Sequence, residues 1–214
     1  MKHAVLGTGE VGRRIATKLV SLDEGVVLGS RTHDNHAAAT WAAASGGWHA
    51  TFADAAAGAD IVWNCVKGEH CMEALQAAGA ENLAGKVLVD LSNPLDFSKG
   101  FPPSLGVCNE DSLAEQIQRA FPDARVVKTL NTLANPIMVD PDLLAEPTDV
   151  FVSGDDPQAK ATVVELLRRF GWAAPIDLGP LSSARGTEAW LLLWTRLFGA
   201  LGTPMHNLKI VRAR

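Results

Sequence analysis

Gly7-Thr8-Gly9-Glu10-Val11-Gly12 restricts the fold of this 214-residue chain more than any other stretch. The apolar run His3 to Gly7 leads into it and reads as a buried strand. From Glu10 the period changes. Val11, Ile15 and Leu19 fall four apart with Ala16 and Val20 beside them, which makes one apolar helix face. A G-x-G-x-x-G run between a strand and an amphipathic helix is the turn of a βαβ unit that cradles a dinucleotide. Gly7 permits the tight turn, Gly9 lets backbone approach a pyrophosphate, and Gly12 lets helix and strand pack closely. The helix start then offers free N–H groups and a positive dipole end to the phosphates.

The same rhythm continues along the chain. Strands are expected at Gly25 to Gly29, Ala59 to Val66, Lys86 to Pro94, Ala124 to Thr132 and around Phe151, with a last strand and turn near Ile176. Helices are expected between Asn35 and Gly46, over His70 to Ala78, Asp111 to Phe121 and Pro157 to Phe170, and over Ser183 to Leu201. The proline-bearing stretch Asn93 to Asn109 reads as irregular surface. Alternating strand and helix implies right-handed crossovers and an α/β fold of Rossmann type: a doubly wound, mostly parallel sheet with a small C-terminal helical extension. The expected division is a dinucleotide-binding domain over 1–154 and a helix-strand-helix part over 155–214 that packs on it and on a dimer partner.

A formal net charge of -5 argues against nucleic acid or an anionic membrane surface as partner, because both demand a basic excess. No apolar run approaches the ~20 residues needed to span a bilayer. Cys65, Cys71 and Cys108 form no C-x-x-C pair, which suits free thiols in a reducing cytoplasm. Cys65, His70 and Cys71 are close in sequence, but a strand end and a helix start aim them apart, so no metal site is expected.

The residue just past the second strand faces the adenosine ribose in such a fold, and an acid there selects the free 2′-hydroxyl. This chain instead places Ser30 and Arg31 there, 18 and 19 residues after Gly12. A hydroxyl and a guanidinium fork suit a 2′-phosphate, so the expected cofactor is NADP(H), with His33 and His36 adding to the patch.

The chain has no tyrosine, which removes a Tyr-x-x-x-Lys dehydrogenase. Only about 60 residues follow the strand at Phe151, too few to enclose a small substrate. Lys67 and Lys128, at strand ends, read as phosphate or solvent contacts facing the nucleotide crevice. No residue stands out as a catalytic acid or base. Hydride exchange between two cofactors needs none, because the cofactors carry the chemistry. Two alternatives stay open: an NADPH-dependent reductase of a small imine or ketone, and a non-catalytic NADP(H)-binding protein.

The stretches "GTGEVG", "VVLGSRT", "GADIVWNCVKGEH", "FVSGDDPQAKATVVELL" and "PIDLGPLSSARGTEA" together resemble the NADPH-dependent reductases of the deazaflavin coenzyme F-420 and their bacterial relatives. The resemblance implies hydride transfer between NADPH and coenzyme F-420, or FMN or FAD as a second, exchangeable cofactor. It implies that Thr8, Gly9, Glu10 and Val11 hold the pyrophosphate and Ser30 and Arg31 the 2′-phosphate. Val66, Lys67, Asn93 and Pro94 would line the ribose and nicotinamide, and the tail around His206 would cover the deazaflavin side. Lys67-Gly68 stands where the archaeal reductases carry Pro-Trp. Asn131 in "VVKTLNT" instead resembles the oxidoreductase domain of six-helix membrane metalloreductases, which use an ordinary flavin. Asn131 is therefore counted with the cofactor-binding set. The apolar C-terminal helix, with Trp190, Leu193, Trp194, Leu197 and Leu201, predicts a homodimer.

Overall fold

The computed structural model describes residues 1–213. Strand β1 (Lys2–Leu6) passes through the glycine turn into α1 (Glu10–Ser21), and β2 (Gly25–Ser30) and α2 (His36–Ser45) repeat the unit. There follow β3 (Trp48–Thr51), α3 (Phe52–Ala57), β4 (Ile61–Asn64), α4 (Gly68–Ala78), α5 (Ala80–Leu83) and β5 (Val87–Asp90). A hairpin of β6 (Leu95–Asp96) and β7 (Ser104–Leu105) precedes α6 (Leu113–Ala120), β8 (Arg125–Thr129) and α7 (Asn135–Val139). The chain ends with β9 (Phe151–Gly154), α8 (Pro157–Phe170), β10 (Ile176–Asp177), α9 (Ala184–Ala189) and α10 (Leu191–Leu201).

Eight strands form one sheet in the order β10-β9-β8-β5-β4-β1-β2-β3. Every pair is parallel except β8 with β9, so β9 and β10 run against the rest. This is a Rossmann-type α/β fold. Alternation along the strands divides the core. Val5, Trp63, Val89 and Val127 face α1 and α8, packing with Ile15, Leu19, Leu167 and Phe170. Leu6, Val62, Leu88 and Val126 face the other way, onto Phe52, Leu75 and Ile117. The strand order reverses beside β1, which opens a crevice at the carboxyl ends of β1 and β4.

Several elements differ from the sequence expectation, among them the short helices α5 and α7, which it did not include. β3 and α3 occupy a stretch that carries no strong period: β3 is a half-exposed edge strand, and α3 is one short, alanine-rich helix started by Thr51, whose hydroxyl accepts from Asp54 N–H. The proline-bearing loop contains the β6–β7 hairpin. The terminal helix comes as α9 and α10, which meet at Trp190. The boundary expected at 154/155 falls between β9 and α8, and the sheet continues past it through β10.

Candidate functional site

The glycine turn is built as its spacing demands. Gly7 has φ +113°, and a Cβ on Gly12 would lie 1.8 Å from the Gly7 carbonyl oxygen, so both positions exclude a side chain. Gly9 is the residue before α1, and no side chain caps that helix. α2, α3, α6 and α8 are each capped by their own Asn35, Thr51, Ser112 and Asp156. The first N–H groups of α1 are thus left for a ligand. α4, which starts beside the same crevice after Lys67, also lacks a side-chain cap.

Two adjoining cavities occupy the crevice. One, of about 290 Å³, is walled by Gly7, Thr8, Gly9, Ser30, Arg31 and Phe52, and reaches Val66 and Lys67. The other, of about 310 Å³, continues from Cys65, Val66 and Lys67 to Val11, Leu91, Asn93, Leu95 and Phe97. Together they form one cleft shaped for an extended dinucleotide. The glycine loop and α1 start lie near the middle, Arg31 at one end and Asn93 at the other. These donors and this concavity fit NADP(H).

Arg31 is exposed at the rim, whereas Ser30 is buried and donates its hydroxyl proton to the Thr32 carbonyl at 2.6 Å. Ser30 therefore shapes the turn that presents Arg31. The His33 and His49 rings lie 5.5 Å apart beyond it, and His36 is the exposed first residue of α2.

Five of the expected residues do not line the cleft, Gly12 among them because it packs on the Gly7 backbone. Glu10 opens α1 and accepts from Asn135 Nδ2 at 3.3 Å. Pro94 and Asn131 are buried behind Asn93. His206 stacks on Trp194 with centroids 5.2 Å apart, and its tail is tied to the start of β9 by Asn207 donating to Thr148 and Asp149.

Beneath the Asn93 end lies a polar network that sequence reasoning missed. Strand register sets Asn64, Asp90 and Lys128 side by side across β4, β5 and β8. Asn64 Nδ2 donates to Asp90 Oδ1 at 2.8 Å, and Ser92 Oγ to the same oxygen at 2.7 Å. Lys128 Nζ lies 2.8 Å from both Asp90 Oδ2 and Glu188 Oε1 and also donates to the Ser92 carbonyl. Glu188 in turn accepts from the Leu113 and Ala114 N–H groups at the start of α6. Lys128 is 1% exposed, so the expectation that it faces the crevice is corrected: pairing register carries it under the floor. Burial opposes its charge, but Asp90 and Glu188 outweigh that and hold its pKa above the ordinary lysine value. The available signal was a lone charge inside an apolar run, in "KVLVDLSNP", "RVVKT" and "GTEAWLLLW".

Burial, then the Asp90 charge, pushes the Cys71 thiol up to about 11 and raises Cys65 as well, so neither carries thiolate near neutrality. Among the described residues no cluster of His, Cys, Asp or Glu could hold a metal ion, and no helix is long and apolar enough to cross a membrane.

Fold and cleft define an NADP-dependent oxidoreductase of Rossmann type. Residues 2–94 match the family described as NADP oxidoreductase, coenzyme F-420-dependent. A crystal structure of a candidate F-420-dependent NADP reductase from Arthrobacter sp. FB24 is 52% identical, covering 99% of this chain and 100% of that one, with a TM-score of 0.95. The F-420-dependent NADP reductase of Methanocaldococcus jannaschii is 28% identical over 200 residues, 88% of either chain. Metalloreductase STEAP3 of Rattus norvegicus is 34% identical over 193 residues; the match covers 88% of this chain and spans 36% of that protein's length. The chain belongs to the coenzyme F-420-dependent NADP oxidoreductase family.

Proposed function

We propose that this protein transfers hydride between NADPH and a planar ring acceptor, coenzyme F-420 or a flavin. The observation that carries the reading is the cleft itself: its Asn93 end opens to an apolar rim of Val11, Leu91, Leu95 and Phe97. NADPH, when bound, would supply the hydride. The acceptor gains that hydride and one proton from water, so no protein acid has to touch the reacting atoms. The chain's own residues bind and orient. The glycine loop and α1 start would hold the pyrophosphate, and Arg31 the 2′-phosphate. Val66, Lys67 and Asn93 would fix the nicotinamide so that one face meets the opening. A compact imine or ketone would find little to enclose it there.

Assembly as a homodimer is part of the proposal. Leu192, Leu193 and Leu201 on α10 are 44–57% exposed, an apolar face that association would cover. The test of function is NADPH oxidation by the purified protein with coenzyme F-420, FMN and FAD offered separately, against NADH as control. Turnover with at least one ring acceptor and NADPH is expected. NADPH binding without turnover on any of them would reject the reading.

A further inference from the structure

We infer that Phe97, carried on the β6–β7 hairpin, is the aromatic wall against which the acceptor ring packs, and so sets the acceptor class as planar and polycyclic. The inference rests on the hydride-transfer reading above and adds the residue that recognises the acceptor.

Phe97 is 56% exposed, yet it walls the same cavity as Val11, Val66, Leu91 and Asn93. A large aromatic left in water at a cleft mouth forfeits the burial that usually places it, unless a ligand supplies that burial. Its position is not left to chance. The hairpin base is closed by Leu95 pairing with Leu105 and by Gly106 N–H donating to the Pro94 carbonyl at 2.8 Å. The tip is closed twice, by Ser98 N–H on Asp96 Oδ1 and Gly100 N–H on the Phe97 carbonyl, both at 2.8 Å. Phe101 then docks edge-on against Phe198 of α10, with centroids 6.1 Å apart and planes at 85°. A segment anchored at base, tip and flank presents one aromatic side chain to the mouth.

Gly68, at the start of α4, lines the same cavity and packs directly on the loop after β5. A Cβ on Gly68 would lie 1.9 Å from the Asn93 carbonyl oxygen, so this position excludes a side chain where α4 crosses the loop after β5. The opening therefore has an aromatic edge on the hairpin side and bare backbone at Gly68. A flat ring gains an aromatic face there, whereas a compact imine or ketone has no π-surface to stack.

The test compares Phe97→Ala and Phe97→Trp with wild type. Three readouts serve: acceptor KM, NADPH Kd, and binding of F-420 or FMN to the NADP⁺-loaded protein followed by acceptor fluorescence. Phe97→Ala should raise acceptor KM and Kd roughly tenfold with NADPH Kd and melting temperature unchanged, and Phe97→Trp should keep near-wild-type values. Unchanged acceptor affinity in Phe97→Ala would overturn the inference and leave hydride transfer standing. So would an equal loss of NADPH, or a shift from dimer to monomer by light scattering, which would make Phe97 a subunit contact. A wild-type protein that neither binds nor reduces any ring acceptor would remove the functional reading and this inference with it.

Discussion

Asn93 and Asn131 hold each other: Asn131 Nδ2 donates to Asn93 Oδ1 and Asn93 Nδ2 donates to the Asn131 carbonyl, both at 2.9 Å. Asn131 spends its second N–H on the Thr187 carbonyl at 3.0 Å. The loop after β5, the loop after β8 and helix α9 are thereby locked at the inner end of the cleft. Both N–H groups of Asn131 are spent within the protein, and it meets the cleft through Asn93. Asn131→Asp turns a buried donor that faces two acceptors into a third acceptor. It should cost about 2–3 kcal/mol of stability, since an unsatisfied buried polar group carries most of its desolvation penalty. Denaturant unfolding measures this, and a variant within error of wild type would refute the assignment.

On the proposed reading Arg31 would carry the cofactor preference. Arg31→Ala removes a charge-assisted contact to a 2′-phosphate and should weaken NADPH by ~10- to 100-fold, while NADH binding stays as it was. Ser30→Ala should lose less, because the Ser30 proton already goes to Thr32. Titration of both nucleotides into both variants decides it. Equal losses of NADPH and NADH in Arg31→Ala would dismiss the arginine as a solvated surface charge.

Local pattern made the glycine turn, the alternating core and the position of Arg31 legible, because each depends on residues within a few places of one another. The acid-base network does not. Lys128 lies between Asp90 and Glu188 only because three strands pair in one register and α9 folds back, and "RVVKT" alone reads as a strand ending at solvent. Phe97 was hidden for another reason. Its stretch has turn residues and no period, so its two-residue strands leave no trace until Pro94 and Gly106 meet. β3 passed unseen as an edge strand, exposed enough that alternation brings little burial.

Acid should cost this protein stability through His3 before it reaches Glu24. His3 is fully buried, accepts from Trp63 Nε1 at 3.0 Å, and stands 3.5 Å from Glu24. Burial pushes its pKa from 6.5 to about 4, against the attraction of Glu24. Because the folded value is the lower one, the native state prefers neutral imidazole. Its contribution is whole above pH 6.5 and is lost as pH falls through about 4. Burial works to raise Glu24, but hydrogen bonds from the N-terminal ammonium and Arg169 overcome it and hold Glu24 at about 2. That contribution is whole above the ordinary carboxylate value and is lost as pH falls through about 2. His3→Gln keeps an acceptor for Trp63 and removes the titration. Its melting temperature should therefore decline less than wild type between pH 6.5 and 4. Parallel declines would show that His3 does not set the acid limb.

Lys128→Met is the sharpest test of the network under the cleft. It leaves the Asp90 and Glu188 carboxylates buried with no cation between them and frees the Ser92 carbonyl that anchors the loop before Asn93. Removing one member of a buried ionic group typically costs ~3–5 kcal/mol, a large share of the ~5–15 kcal/mol that stabilises most domains. Adding Glu188→Gln to Lys128→Met removes one of the stranded charges while leaving an amide oxygen for one of the two α6 N–H groups. The double variant should therefore be more stable than Lys128→Met alone, and a double-mutant cycle should show coupling of ~1 kcal/mol or more. Loosening of the Ser92–Asn93 segment should also weaken NADPH more than 2′,5′-ADP, which lacks the nicotinamide end and reports on Arg31 and the glycine loop alone. Additive stability losses would mean that Lys128 and Glu188 do not act as a unit. Equal weakening of both ligands would mean that the network supports the whole domain rather than the inner end of its cleft.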